Sequence, residues 1–153
     1  MSVSAKRRPL IIGIGNPLCG DDGLGWTIAE QLARDYDGDC DLLTVHQLTP
    51  ELAQEMAPAT LVVLIDASRE GEPGEFRVCS LSLSALPGPL GAHHMAPEEL
   101  VALAAAVYGS CPPVVIASMT GADFSMGEHL SPIVARCIPL AISALVLQLR
   151  EIA

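Results

Sequence analysis

The chain has 153 residues, half of them apolar, and a formal net charge of −10 at pH 7. This composition argues against a disordered chain, and the negative charge argues against nucleic acid or an anionic membrane surface as a partner. We expect a single domain over residues 1–153, with a loose amino terminus at residues 1–8. The five cysteines are widely spaced and form no Cys-x-x-Cys pair, which argues against a disulfide framework or a structural zinc site.

The sequence predicts neither a secretory signal nor a membrane span. The apolar run after the basic residues 6–8 breaks at Gly13, so it is too short for the core of a signal peptide. The most apolar stretch, residues 138–147, is well short of the roughly 20 residues that a bilayer span needs. We therefore expect a soluble, cytoplasmic protein.

Segments typical of strands and helices alternate along the chain. Short apolar runs rich in β-branched residues predict strands at residues 9–14, 42–47, 60–65, 75–81 and 113–118. Helical spacing of apolar residues and N-cap signals predict helices at about residues 22–36, 49–56, 97–108 and 131–151, the last with a kink at Pro139. The alternation predicts an α/β fold of three layers, in which a twisted, mainly parallel sheet of about five strands lies between helices on both faces.

Acidic and imidazole side chains follow the predicted strands. Asp21 and Asp22 lie in a glycine-rich loop after the first strand, Asp66 follows the third strand, and His93 and His94 end a long loop. Because ligands bind at the carboxyl ends of parallel strands, these side chains can gather at one edge of the sheet. Two carboxylates and an imidazole form a suitable nitrogen/oxygen site for a divalent transition metal.

Simpler structural roles for the acids, and a nucleotide-binding site, are alternatives to this metal site. One of the two loop acids is expected to cap the following helix, and Asp66 can be a turn residue at a strand end. The glycine loop does not fit a dinucleotide signature, because Leu18 holds the place of the third glycine. No Gly-Lys-Ser/Thr follows, and two carboxylates would repel a phosphate at this helix start.

Four motifs in order resemble those of the hydrogenase maturation endopeptidases, which trim the C-terminal tail from the large subunit of nickel-iron hydrogenases. The motifs are the glycine loop at residues 13–25, LIDA at residues 64–67, HHMAPEEL at residues 93–100 and GEHLSPIV at residues 127–134. The resemblance covers residues 10–149, which is nearly the whole chain.

The resemblance implies both a reaction and a site. It assigns Asp22, Asp66 and His93 as nickel-contacting and catalytic residues. The nickel is already installed in the hydrogenase large-subunit precursor, so the free enzyme is expected to carry no permanent metal. It also implies a monomeric enzyme. Our hypothesis for the reaction is that a water, activated by metal polarisation or by a carboxylate base, hydrolyses the peptide bond before the tail. The family more often has Asp-Glu where this chain has Asp21-Asp22, so the shorter Asp22 can reach the metal differently, or through water.

Several interpretations stay open at this stage. We expect His94 to face solvent or a partner of the site, and His46 to be structural or to line the substrate groove. The same three residues could serve a nickel-binding checkpoint or chaperone that does not cut. A hydrolase with Cys19 as nucleophile and His93 or His94 as base is a further alternative, although the adjacent carboxylates oppose a thiolate.

Overall fold

The computed structural model describes residues 7–81 and 95–152. Its sheet contains β1 (Leu10–Ile14), β2 (Asp41–Val45), β3 (Val62–Ser68), β4 (Phe76–Ser80) and β5 (Val114–Thr120), in the order β2-β1-β3-β5-β4. Neighbouring strands are parallel except β4, which is antiparallel to β5. A 3-10 turn (Gly20–Gly23) precedes helix α1, and the described helices are α1 (Leu24–Asp35), α2 (Leu52–Met56), α3 (Pro97–Tyr108) and α4 (Pro132–Ile152).

Side chains of the central strands alternate between two apolar layers. Ile11 and Val63 pack in the layer that contains α1 and α4, whereas Ile12 and Leu64 pack in the layer that contains α2 and α3. This alternation follows from the two-residue period of a strand. Burial on both faces also explains why β1 and β3 appear as continuous apolar runs in the sequence. The predicted three-layer, mainly parallel α/β fold is confirmed.

Strand β3 extends beyond its predicted end. Its pairing with β5 continues through Asp66, opposite Ser118, to Ser68, opposite Thr120. The interpretation of Asp66 as a residue of a turn is therefore wrong. Because Asp66 belongs to the sheet, the strand itself sets the direction of its side chain.

Helix α4 has the length and composition of a bilayer-spanning helix, with 21 residues and a mean hydropathy of 1.8 over its most apolar window. The apolar segment is thus longer than residues 138–147, and Pro139 lies inside the helix without interrupting it. Val134, Leu145 and Leu149 are fully buried in the layer shared with α1 and the sheet. Length and composition alone are weak evidence for a membrane span, because the core helix of a globular domain can have the same length and hydropathy.

Candidate active site

The glycine loop after β1 places the carboxylate of Asp22. Gly15 has a φ of +138°, and a methyl group there would collide with the carbonyl oxygen of Asp22. The backbone N–H of Asn16 donates a hydrogen bond to Oδ2 of Asp22 over 2.8 Å. The loop thus folds back on Asp22, which requires a residue without a side chain at position 15.

A second glycine sets the approach of α1 to the sheet. A methyl group at Gly25 would lie 2.5 Å from the carbonyl oxygen of Ile65 and would also clash with the carbonyl of Ile14. Real Cβ atoms do not come this close to backbone oxygens. The start of α1 therefore packs directly against the ends of β1 and β3. This contact brings Asp22 close to Asp66, which follows Ile65.

Asp66 is a half-buried acid near the end of β3. Its Oδ1 accepts a hydrogen bond of 2.8 Å from the backbone N–H of Ala67. The pKa of Asp66 is raised to about 6: burial raises it most, the hydrogen bond from Ala67 lowers it, and the charge of Asp22 adds to the increase. The two predicted acids are therefore close enough to interact electrostatically.

Asp22 and Asp66 line one cleft of about 420 Å³ at the carboxyl ends of the parallel strands. Part of its wall is apolar and includes Leu48, Leu64 and Ile116. A water molecule occupies roughly 30 Å³ in the liquid. The volume of the cleft is therefore larger than that of a metal ion with its shell of about six waters. The cleft can hold part of a polypeptide beside its acidic wall.

The third predicted residue, His93, lies outside the described residues, as does His94. Met95 and Pro97, which follow them in the chain, line the same cleft. Within residues 7–81 and 95–152, no group of three His, Cys, Asp or Glu side chains is arranged to hold a metal ion. The structure thus brings together two members of the predicted trio, and a metal held by three protein ligands would need one from beyond the described part of the chain.

Solved structures of hydrogenase maturation peptidases resemble this chain over nearly its whole length. The hydrogenase maturating endopeptidase HybD from E. coli aligns with a TM-score of 0.75 and 22% identity, over 94% of this chain and 93% of its own. The [NiFe] hydrogenase maturation protease HycI from Thermococcus kodakarensis KOD1 aligns with a TM-score of 0.70 and 24% identity, over 96% of this chain and 95% of its own. The hydrogenase 2 maturation peptidase from Thaumarchaeota archaeon SCGC_AB-539-E09 aligns with a TM-score of 0.70 and 21% identity, over 94% of this chain and 98% of its own.

The chain has the fold of the hydrogenase maturation endopeptidases. No protein-family model and no curated protein sequence matches it. Because identity to the solved maturation peptidases is low, the fold is what this similarity shows, and the roles of individual side chains must be argued from the cleft itself.

Asp21, the neighbour of Asp22, has a structural role within this endopeptidase fold. It is fully buried and accepts hydrogen bonds from the backbone N–H groups of Ala122, Asp123 and Ser131 and from the Ser131 hydroxyl, over 2.7–3.0 Å. Burial alone would raise the pKa of Asp21, but the hydrogen bonds, led by those from Ser131, hold it below its ordinary value. Asp21 fastens the loop after β5 and the start of α4 to the glycine loop.

The expectation that one loop acid caps the following helix is wrong. Neither the 3-10 turn nor α1 has a side-chain cap hydrogen bond. Asp21 instead binds Ser131 at the start of α4, which is 110 positions away in the chain. The only sequence signal for this contact was the Ser-Pro pair at residues 131–132, which predicted a helix start but not its partner.

Cys19, the alternative nucleophile, does not belong to the cleft. It is half-buried, and its backbone forms a bridge with Gly127. Among the described residues that line the cleft there is no cysteine. His46, by contrast, is exposed and does line it, so the residue after β2 places an imidazole in the cleft.

Proposed function

We propose that this protein is a hydrogenase maturation endopeptidase, which removes the C-terminal extension of a nickel-loaded [NiFe]-hydrogenase large-subunit precursor. The observation that carries the proposal is the meeting of Asp22 and Asp66 in one cleft. Each comes from a different motif of the resemblance, and the fold is that of proteins named as maturation endopeptidases.

The electrostatics of the cleft favour a cationic ligand. The charge of Asp22 opposes ionisation of Asp66, and burial opposes it more strongly. A divalent cation between two such carboxylates relieves both the repulsion and the cost of burying charge. Carboxylate oxygens and an imidazole are ligands that suit a divalent transition metal, and we assign the imidazole to His93.

In this proposal the nickel belongs to the substrate. The precursor brings it to Asp22, Asp66 and His93, and a precursor without nickel presents nothing for these residues to bind. Docking fixes the distance from the acidic wall to the scissile peptide bond, so cleavage follows metal insertion. We propose a soluble, cytoplasmic and monomeric enzyme that holds no permanent metal of its own.

The proposal is tested by incubating the purified protein with nickel-loaded and nickel-free forms of the precursor and following intact mass. We expect loss of the tail mass only from the nickel-loaded form. Asp22→Ala combined with His93→Ala should abolish cleavage. The control Asp35→Asn, which removes an exposed acid at the end of α1, should cleave at the wild-type rate.

Three outcomes would refute parts of this proposal. Tail cleavage that survives the double substitution would show that the assigned residues are wrong. A nickel-loaded precursor that stays bound at full mass would indicate a checkpoint or chaperone in place of a peptidase. Loss of cleavage in Cys19→Ser, with the fold unchanged by circular dichroism, would indicate cysteine chemistry.

A further inference from the structure

We propose that His46 is a substrate-contacting residue of the cleft, which binds the polypeptide of the precursor and not its nickel, and that Trp26 positions it. This inference rests on the proposed function, because it concerns how the same cleft holds a protein substrate. It assigns His46 to specificity and substrate affinity and leaves the carboxylates as the metal-contacting wall.

The position of His46 makes its ring available to a ligand. It follows the last residue of β2, is exposed and lines the cleft. An exposed imidazole that faces a cleft is free to exchange its bonds with water for bonds with a substrate. A neutral imidazole offers one N–H donor and one nitrogen acceptor, which matches the N–H and C=O groups of a peptide.

Trp26 restricts the ring of His46. The indole of Trp26, on the first turn of α1, lies with its centroid 5.5 Å from that of the imidazole, and the two planes are tilted by 39°. The Nε1–H of Trp26 donates a hydrogen bond of 2.9 Å to the carbonyl oxygen of Val45, the residue before His46. The indole is therefore tied to the end of β2 and limits the space in which the imidazole can turn, which lowers the entropy cost of binding through it.

His46 lines the cleft without joining the two carboxylates in a three-ligand metal site. It shares the cleft with Asp22 and Asp66, yet within the described residues these three side chains do not form a group able to hold one metal ion. The cleft has a volume of about 420 Å³, enough for a metal ion together with a segment of polypeptide. A metal at the carboxylates and a peptide segment at His46 can then be bound together, with the apolar side chain of Leu48 beside the segment.

The test measures steady-state cleavage of the nickel-loaded precursor by wild type, His46→Ala, His46→Gln and Trp26→Phe. For His46→Ala we expect KM to rise about tenfold, the equivalent of one hydrogen bond, with kcat within about twofold of wild type. His46→Gln, which keeps a donor and an acceptor, should recover most of the loss. Trp26→Phe removes the bond to Val45 and should raise KM by a smaller factor.

The matched control is His129→Ala, which removes an exposed imidazole that does not line the cleft and should leave both constants unchanged. A His46→Ala enzyme with wild-type KM and kcat would overturn the inference while leaving the proposed function intact. A loss of kcat in His46→Ala as complete as that expected for Asp22→Ala combined with His93→Ala would also overturn it, since His46 would then act with the metal-contacting group. If wild type does not cleave the nickel-loaded precursor, the proposed function fails and this inference fails with it.

Discussion

Replacing Asp66 by asparagine should stabilise the protein at neutral pH. Burial raises the pKa of this carboxyl from 3.8 to about 6, so the folded state disfavours its ionised form. Asparagine has nearly the same shape, carries no charge and can accept the same hydrogen bond from Ala67. The substitution therefore removes the free-energy cost of holding an ionised carboxylate in the cleft in the absence of a cation.

The size of the effect follows from the two pKa values. A difference of one unit is worth about 1.4 kcal/mol, so the shift corresponds to about 3 kcal/mol at pH 8. Well below pH 3.8 the carboxyl is protonated in both the folded and the unfolded state, and the cost disappears. As pH rises from 4 to 6 the Asp66 carboxyl ionises first in the unfolded chain, so the free energy of unfolding of wild type should fall relative to that of Asp66→Asn through this window.

The assay is urea unfolding, followed by circular dichroism, of wild type and Asp66→Asn between pH 4 and 8. We expect the free energy of unfolding of the variant to exceed that of wild type by about 2–3 kcal/mol at pH 8 and by about 1 kcal/mol or less at pH 4.5. Asp35→Asn, the same change at an exposed position, controls for net charge and should show no such divergence. An Asp66→Asn protein that is less stable than wild type at pH 8, or a difference independent of pH, would refute the reasoning.

Three further predictions concern the loops and glycines around the cleft. Asp21→Ala should lower the free energy of unfolding by about 3 kcal/mol, because it removes the buried acceptor of four hydrogen bonds. Because the pKa of Asp21 is lowered, this loss should be full above pH 4 and should shrink as pH falls. Equal stability of the variant and wild type at pH 7 would contradict the role of Asp21. Gly25→Ala should cost about 2 kcal/mol or more in thermal or urea unfolding through the clash with Ile65, and an unchanged unfolding midpoint would show that α1 does not pack as described. Asp22→Asn should lower the pKa of Asp66, measured by NMR titration of the side-chain carboxyl carbon, because it removes a neighbouring negative charge. An unchanged titration would place the two acids too far apart to share a cation.

Local pattern in the sequence was sufficient to predict the order of strands and helices and the layer architecture. Apolar runs and helical periodicity report which faces of an element are buried, and burial of those faces dictates the layers. The same logic placed Asp22 and Asp66 at one edge, because parallel strands present their carboxyl ends together. Local signals could not show that β3 continues past Asp66, since the extension depends on pairing with a strand about 50 residues further on.

Only the tertiary structure decided that the adjacent acids Asp21 and Asp22 have different roles. In sequence both are acids at a helix start, and either could cap it. In the fold, Asp21 points into the protein, where its hydrogen-bond donors come from a loop and a helix start more than 100 positions away. Asp22 faces the cleft and Asp66 instead. A carboxylate takes its role from the donors and charges that surround it, and here those neighbours are remote in sequence, so only the folded chain separates the structural acid from the one in the candidate site.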